Sequence, residues 1–381
     1  MKHLSAAPHR AYFFFGSLSF FALLLWWSWQ IQQQHYQQIP LHGLLMPMGF
    51  FPLFILGFTF TAGPRWLSVE NQAQAFVVYA SVYTAGVALV LIAHSYAWYP
   101  MRSAGFALML WCWSRVSWRW WYLLSCSKVY DKQHGYGLLL GMVGGIAAMT
   151  AVTGWSLGCE AAWPWAKNLA LYGFLLPIFL TVCHRMLPFF SGSVIAGYQS
   201  WRPYWLLHSG LVASSALAGS LSLAWHNLSA ALACLLCFGC AYTSWRWGLF
   251  KCWSQRLLAM LHAAFAWLTV VFALLAGAEM GWLSPSLATH ALGLGFMGTM
   301  LVAFVSRVSY GHSGRPLQAG NLLWAIYLGL HFATVLRLLA SVLAWQGLLQ
   351  VAAALWLGLI LLWLVLMLPI YLRPRLDGQA G

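Results

Sequence analysis

Long apolar segments, separated by short polar connections, follow one another along almost the whole chain. Most are about 20 residues long, the length that an α-helix needs to cross a bilayer. They lack the alternation over about ten residues that marks a membrane barrel strand. We therefore predict an all-α polytopic membrane protein with a single integral domain, 1–381. The twelve predicted spans are 11–31, 42–63, 74–98, 102–123, 135–157, 165–190, 203–223, 227–248, 256–278, 285–306, 319–343 and 347–371.

The first apolar segment follows a basic start and ends in Trp26 and Trp27. A cleavable signal peptide has an apolar core of about 7–15 residues and a cleavage site of small residues. This segment is longer and ends in two tryptophans instead. We expect it to be retained as the first membrane helix.

Charges are rare, at 6% of the 381 residues, and the net charge is +14. Placing both termini in the cytoplasm puts sixteen of the 19 Lys and Arg residues on the inner side. Arg102 and Lys167 fall on the outer side, and Arg337 falls within a helix. Because cytoplasmic loops of membrane proteins are enriched in Lys and Arg, this bias predicts cytoplasmic termini. It also explains the positive charge without nucleic-acid binding.

Acidic residues and cysteines restrict the function classes. The five Asp and Glu residues fall at or beyond the ends of the predicted spans, which weakens the hypothesis of a proton-coupled transporter. Eight cysteines are scattered through predicted helices, which is not the spacing of a disulfide framework.

Thirteen histidines are the main chemical signal in so apolar a chain. Ionisable side chains at membrane depth are costly and often mark a site, and imidazole is a common ligand of haem iron and copper. For each histidine singly, a hydrogen bond within the core is the simpler explanation. We expect five histidines to lie in solvated loops or tails: His3, His9, His35, His134 and His226.

His42 and His290 are predicted at the outer ends of the second and tenth spans. On a helix, Met46 and Gly49 share a face with His42, and Gly293, Met297 and Gly298 share one with His290. Small and sulfur-bearing neighbours would leave room for a flat macrocycle, although glycine faces also serve helix packing. We therefore predict a haem site between them.

Two residues of the eleventh span are further candidates for this site. His331 lies near the middle of the span and is the first substitute ligand, whereas Arg337 lies in its outer half. No acidic residue of the membrane region is near Arg337. Haem propionates could supply an anionic partner, and snorkelling to lipid headgroups is the alternative.

A second polar site is predicted toward the cytoplasm. His184, His262 and His312 are its candidate copper ligands, with His208 as a weaker candidate, because copper accepts imidazoles readily. Arg185, Arg307 and Arg315 lie nearby in sequence. The alternative is that these arginines bind lipid phosphate or brace the loop.

Four segments of the chain resemble the conserved blocks of the NnrS family. They are HGLLMPMGFFPLFILGFTFTAGPRWL from His42, HRMLPFF from His184, RLLAMLHAAFAWL from Arg256 and HALGLGFMGTMLVAFVSRVSYGHSGR from His290. The resemblance implies a bacterial inner-membrane protein that contains haem and copper and is linked to nitric oxide, nitrosative stress and denitrification.

One block departs from the family pattern. Many members carry His-x-His-Glu-Met where this chain has HGLLM, so Leu44 and Leu45 stand in place of a histidine and an acid. A weaker similarity connects the chain with haem–copper oxidases, which have haem histidines on helices 2 and 10. The paired histidines of their copper site are absent here, and fold analogy alone does not transfer function.

Three hypotheses remain at this point. The first is a haem and copper protein that binds or turns over nitric oxide, with an unidentified electron donor if it is an enzyme. The second is a sensor or metal-homeostasis protein that binds haem without catalysis. The third is a small-molecule transporter whose histidines line a path.

Overall fold

The computed structural model describes residues 3–70 and 75–378, and every element assigned in them is helical. Residue 74, where the third predicted span begins, lies outside the described residues. The helices are α1 (Pro8–Gln32), α2 in two pieces (Ile39–Gly49 and Phe51–Leu67), α3 (Phe76–Ser95), α4 (Tyr99–Cys126), α5 (Gln133–Ser156), α6 (Trp163–Asn168, Leu169–Leu175 and Leu176–Val194), α7 (Tyr204–Ser222), α8 (His226–Trp247), α9 (Arg256–Glu279), α10 (Pro285–His290, Ala291–Gly298 and Thr299–Gly311), α11 (Asn321–Val342) and α12 (Gln346–Leu372).

The observed helices match the predicted spans to within about five residues at each end. Among the described residues, ten helices are long and apolar enough to cross a membrane. The other two are α4, which carries three arginines, and α7, which is short and rich in serine and glycine. The chain is therefore an all-α membrane protein.

The two ends of the chain meet at one end of the bundle. Arg10, near the start of α1, donates a hydrogen bond to the carbonyl oxygen of Arg373 just after α12, at 2.8 Å. The ring of His9 contacts that of His312, which follows α10, with ring centres 4.8 Å apart. We call this the terminal end. The opposite end carries His42 and His290, and we call it the histidine end.

Three helices form the interior of the bundle: α2, α6 and α10. Each is 83% buried over its most apolar stretch, against 33–61% for the other candidate spans of the described chain. Each is also interrupted. The α2 helix breaks at Phe50, between Pro47 and Pro52, and α6 and α10 contain π-helical segments at Leu169–Leu175 and Ala291–Gly298.

These interruptions correct the expectation of continuous α-helices at His42 and His290. A proline removes a backbone donor and crowds the preceding turn, which explains the break in α2. Segments of π-helix are rare and are frequent at functional sites. The region of the bundle where the three interrupted segments meet is therefore a candidate site.

Candidate functional site

The interrupted segments of α2, α6 and α10 surround a cavity of about 350 Å³ at the histidine end. Helices α1, α11 and α12 complete its walls. A volume of this size falls in the range of cofactor and small-molecule sites, about 300–1,000 Å³. We call it the histidine cavity. Its chemically notable lining residues are Trp27, His42, Met46, Phe51, Trp163, Lys167, His290, Gly293, Met297, Arg337 and Trp356.

His290 is held at the wall of this cavity by its own helix. Its Nδ1 donates a hydrogen bond to the carbonyl oxygen of Ser286, one turn earlier, at 2.8 Å. This bond leaves Nε2 with a free lone pair, which accepts a hydrogen bond from Arg337 at 3.1 Å. In metal-binding histidines, one ring nitrogen typically donates to a carbonyl or carboxylate oxygen while the other presents its lone pair to the metal. His290 has this arrangement.

His42 lies on the opposite wall. Its ring stacks on Trp27, with ring centres 3.8 Å apart and planes 17° from parallel. Its Nδ1 is buried and has no hydrogen-bond partner in the described chain. Leaving such a group unpaired costs about 1–3 kcal/mol. Such an unpaired nitrogen is expected where a bound ligand is its partner.

The two imidazoles face each other with ring centres 6.4 Å apart and planes 15° from parallel. Two imidazoles bonded end-on to one metal, with bonds of about 2 Å, would have ring centres about 6 Å apart. The spacing of the His42 and His290 ring centres is therefore close to that of two imidazoles on one metal. A metal at Nε2 of His290 would require Arg337 to release that nitrogen.

Among the residues that the structure describes, two cations, Arg337 and Lys167, line the cavity and no acid does. Arg337 also donates to the hydroxyl oxygens of Ser341 and Ser286. Lys167, on the first piece of α6, is half-buried and was not predicted as a site residue. Neither forms an ion pair within residues 3–70 and 75–378. An anionic ligand with two acidic groups would fit this pair of charges.

The predicted neighbours of the histidines line the cavity with one exception. Met46, Gly293, Met297 and Gly298 are in its wall. A Cβ atom added at Gly293 would meet no atom within 4 Å, so this glycine borders open space. Gly49 instead packs against Leu23, because α2 breaks directly after it.

His331 does not line the cavity. Its Nδ1 accepts a hydrogen bond from the indole nitrogen of Trp267 at 2.8 Å, and its Nε2 is buried without a partner in the described chain. It is therefore not placed to replace His42 or His290.

The three histidines predicted as copper ligands are not brought together. His184 contacts His134, His262 shares a hydrogen bond of 2.9 Å with the hydroxyl of Ser191, and the ring of His312 lies at a tilt against that of His9. The described residues contain no group of three His, Cys, Asp or Glu side chains that could hold a metal ion. All eight cysteines are free, as predicted.

His134 and His9 are buried, so the expectation that they are solvated is wrong. His134 is the second residue of α5, and its Nε2 lies 3.0 Å from Nδ1 of His184. The predicted span began one residue later, which is why the pair was missed. His9 lies inside the first turn of α1 and pairs with His312. His3, His35 and His226 are exposed, as expected.

A polar cluster surrounds the His134–His184 pair. Arg185 lies over the ring of Trp66 and 3.4 Å from Nδ1 of His134. Nearby, the Tyr204 hydroxyl donates to Asp131. Partial burial alone would raise the pKa of Asp131, but hydrogen bonds from Tyr204 and the backbone lower it below its usual value. His208 is exposed and bonds Gln133 at 3.0 Å.

The arginines of the terminal end occupy different surroundings. Arg307 is buried with its guanidinium 3.9 Å from the ring centre of Phe190. Arg315 follows His312 in the loop after α10, and Nη1 of each arginine has no partner in the described chain. Burial, followed by the charges of Arg65 and Arg375, lowers the pKa of His312. That shift favours the neutral imidazole.

Comparison with known proteins gives one match. The family model described as NnrS protein matches residues 3–375, nearly the whole chain. Comparison with curated proteins and with solved structures gave no match.

Proposed function

This chain belongs to the NnrS family, and on that premise we propose that it is a haem-binding membrane protein of the nitric oxide response, with the haem in the histidine cavity. The observation that carries the proposal is the pairing of His42 and His290, with ring centres 6.4 Å apart across a cavity of about 350 Å³. Haem, when bound, would supply an iron that can coordinate nitric oxide and exchange electrons with it.

The residues that line the cavity fit a haem in three further respects. His290 is oriented by Ser286 so that Nε2 faces the cavity, and Gly293 leaves its wall open. Lys167 and Arg337 are placed to hold the two acidic groups of a haem. Met46 and Met297 add polarizable apolar surface for a macrocycle.

We further propose that all twelve helices span the bacterial inner membrane and that both termini are cytoplasmic. The proposal rests on the positive-inside bias and on the contact of Arg10 with Arg373, which puts both ends of the chain on one side. The histidine cavity then opens toward the outer side of the membrane.

The candidate copper site differs from the candidate haem site. The residues do not fit the three-imidazole site that the sequence suggested, because His184, His262 and His312 lie in separate contacts. Copper binding stays a prediction of the family resemblance. Binding of lipid phosphate by Arg185, Arg307 and Arg315 stays a prediction as well.

The proposed function is tested on protein purified in detergent with haem supplied during expression. We expect an intense Soret absorption band that shifts on addition of nitric oxide under anaerobic conditions. Consumption of nitric oxide with a reductant present would assign redox turnover, and binding without consumption would assign a sensor. A protein that takes up no haem would reject the proposal and favour the transporter hypothesis.

The cations of the cavity give a separate prediction. We expect Lys167→Met and Arg337→Met each to weaken haem binding by about tenfold or more, since a charge-assisted hydrogen bond contributes about 1.5–3 kcal/mol. Transfer of haem to apomyoglobin should become faster by the same factor. The Lys167 variant is the cleaner one, because Arg337 also contacts His290.

Cations outside the cavity serve as matched controls. Lys251, in the turn after α8, and Arg256, which bonds Asn321 at 2.8 Å, do not line the cavity. Lys251→Met and Arg256→Met should transfer haem at the original rate. Equal transfer rates for all four variants would contradict the assignment of the cavity cations.

A further inference from the structure

A second, smaller cavity lies between the same three inner helices, on the side of the histidine cavity toward the terminal end. It is partly open, has a volume of about 50 Å³ and is lined by side chains of α2, α6 and α10 together with Phe13 of α1. The lining is aromatic and aliphatic, with phenylalanines prominent. We call this space the apolar chamber.

The chamber is unsuited to water. The one polar side chain in its wall is Thr59, whose hydroxyl is buried and has no hydrogen-bond partner in the described chain. A buried water needs about two to four polar partners. The volume is several times the roughly 10–15 Å³ that a single water requires. A space of this size with one hydroxyl therefore favours a small apolar molecule.

Phe51 is shared by the two cavities, since it lines both. It is the first residue of the second piece of α2, directly after the break at Phe50. Its ring contacts Phe179 edge-on, with centres 5.9 Å apart, and Phe179 in turn contacts Phe296. Phe51 therefore lies where the chamber adjoins the histidine cavity.

We propose that the apolar chamber is a docking site for a small apolar gas and that the gas passes Phe51 to reach the histidine cavity. The destination of the gas rests on the proposed function, whereas binding of the gas in the chamber does not depend on it. Apolar cavities lined by aliphatic and aromatic side chains take up xenon and other apolar guests. A diatomic gas has the size and polarity that this lining accepts, and a bilayer concentrates such gases around the protein.

Xenon tests the chamber directly. A crystal or frozen-grid structure of the unsubstituted protein under xenon pressure should show a xenon atom between Phe51 and Phe304. The result does not depend on haem, so it separates this inference from the proposed function. Absence of xenon from the chamber, with the protein well ordered, would overturn the inference.

Flash photolysis of carbon monoxide from the reduced haem protein tests the route. Val305→Phe, which fills the chamber, should slow bimolecular rebinding by about tenfold, the effect of a barrier increase of about 1.4 kcal/mol. The equilibrium spectrum should stay unchanged, since Val305 does not line the histidine cavity. The matched control is Val365→Phe, on the exposed face of α12.

Xenon applied to the unsubstituted protein provides a second measurement, in case Val305→Phe does not fold. Rebinding should slow as xenon pressure rises, because the gas occupies the route. A rebinding rate that is independent of xenon pressure, or unchanged in a folded Val305→Phe variant with full haem content, would overturn the route through Phe51.

Discussion

Replacing His290 with alanine should remove haem from the protein while the helix bundle still assembles. Removing a group that merely orients a metal ligand typically costs about 10–100-fold in metal affinity, so loss of a ligand itself should cost at least as much. Alanine is apolar and the best helix former. The bond that is lost, from Nδ1 to the carbonyl oxygen of Ser286, is local to one turn of α10.

The measurement is the ratio of Soret to protein absorbance in protein of unchanged elution volume. His42→Ala should behave in the same way, because the two rings face each other. The matched control is His331→Ala, which removes a buried imidazole that bonds Trp267 and does not line the cavity. A His290→Ala protein with full haem content and an unchanged spectrum would reduce His290 to a hydrogen-bonded core residue.

Gly293→Leu should also lower haem content, although both histidines remain. A Cβ at this position meets no protein atom within 4 Å, so the larger side chain would extend into the cavity without disturbing its walls. Overpacking a filled interior space costs about 1–3 kcal/mol, and the leucine would overpack the cavity once a haem occupies it. That range corresponds to roughly 5- to 150-fold weaker binding.

The matched control is Gly358→Leu in α12, an exposed glycine with equally open surroundings that is not part of the cavity. Thermal stability should be similar in both variants, whereas haem content should fall in Gly293→Leu alone. Full haem occupancy in Gly293→Leu would show that the glycine serves helix packing or backbone geometry and that the macrocycle does not lie against it.

The positions of the helices were predictable because the membrane imposes a length and an apolarity on each span. The structure has a helix in every predicted segment, with ends displaced by a few residues. Those few residues mattered at His134, which sits one position before the predicted start of its span and is buried against His184. The ends of a helix depend on local packing, which the hydrophobic pattern of the sequence does not reveal.

The sequence also identified several polar, glycine and methionine residues of the histidine cavity. His42, Met46, His290, Gly293, Met297 and Arg337 all line it, since polar, glycine and methionine positions are conspicuous in so apolar a chain. Lys167 was overlooked, although a signal existed. It is one of only two cations on the predicted outer side, where the positive-inside bias disfavours lysine.

By itself, the sequence determined the helical class, the family and several candidate residues of the site. The tertiary structure alone decided which of these residues meet. It paired His42 with His290, excluded His331 and separated His184, His262 and His312. It also showed that α2, α6 and α10 are interrupted at the cavity. The physical reason is that hydrophobicity fixes the depth of each residue in a bilayer, whereas the rotation and neighbours of each helix follow from side-chain packing.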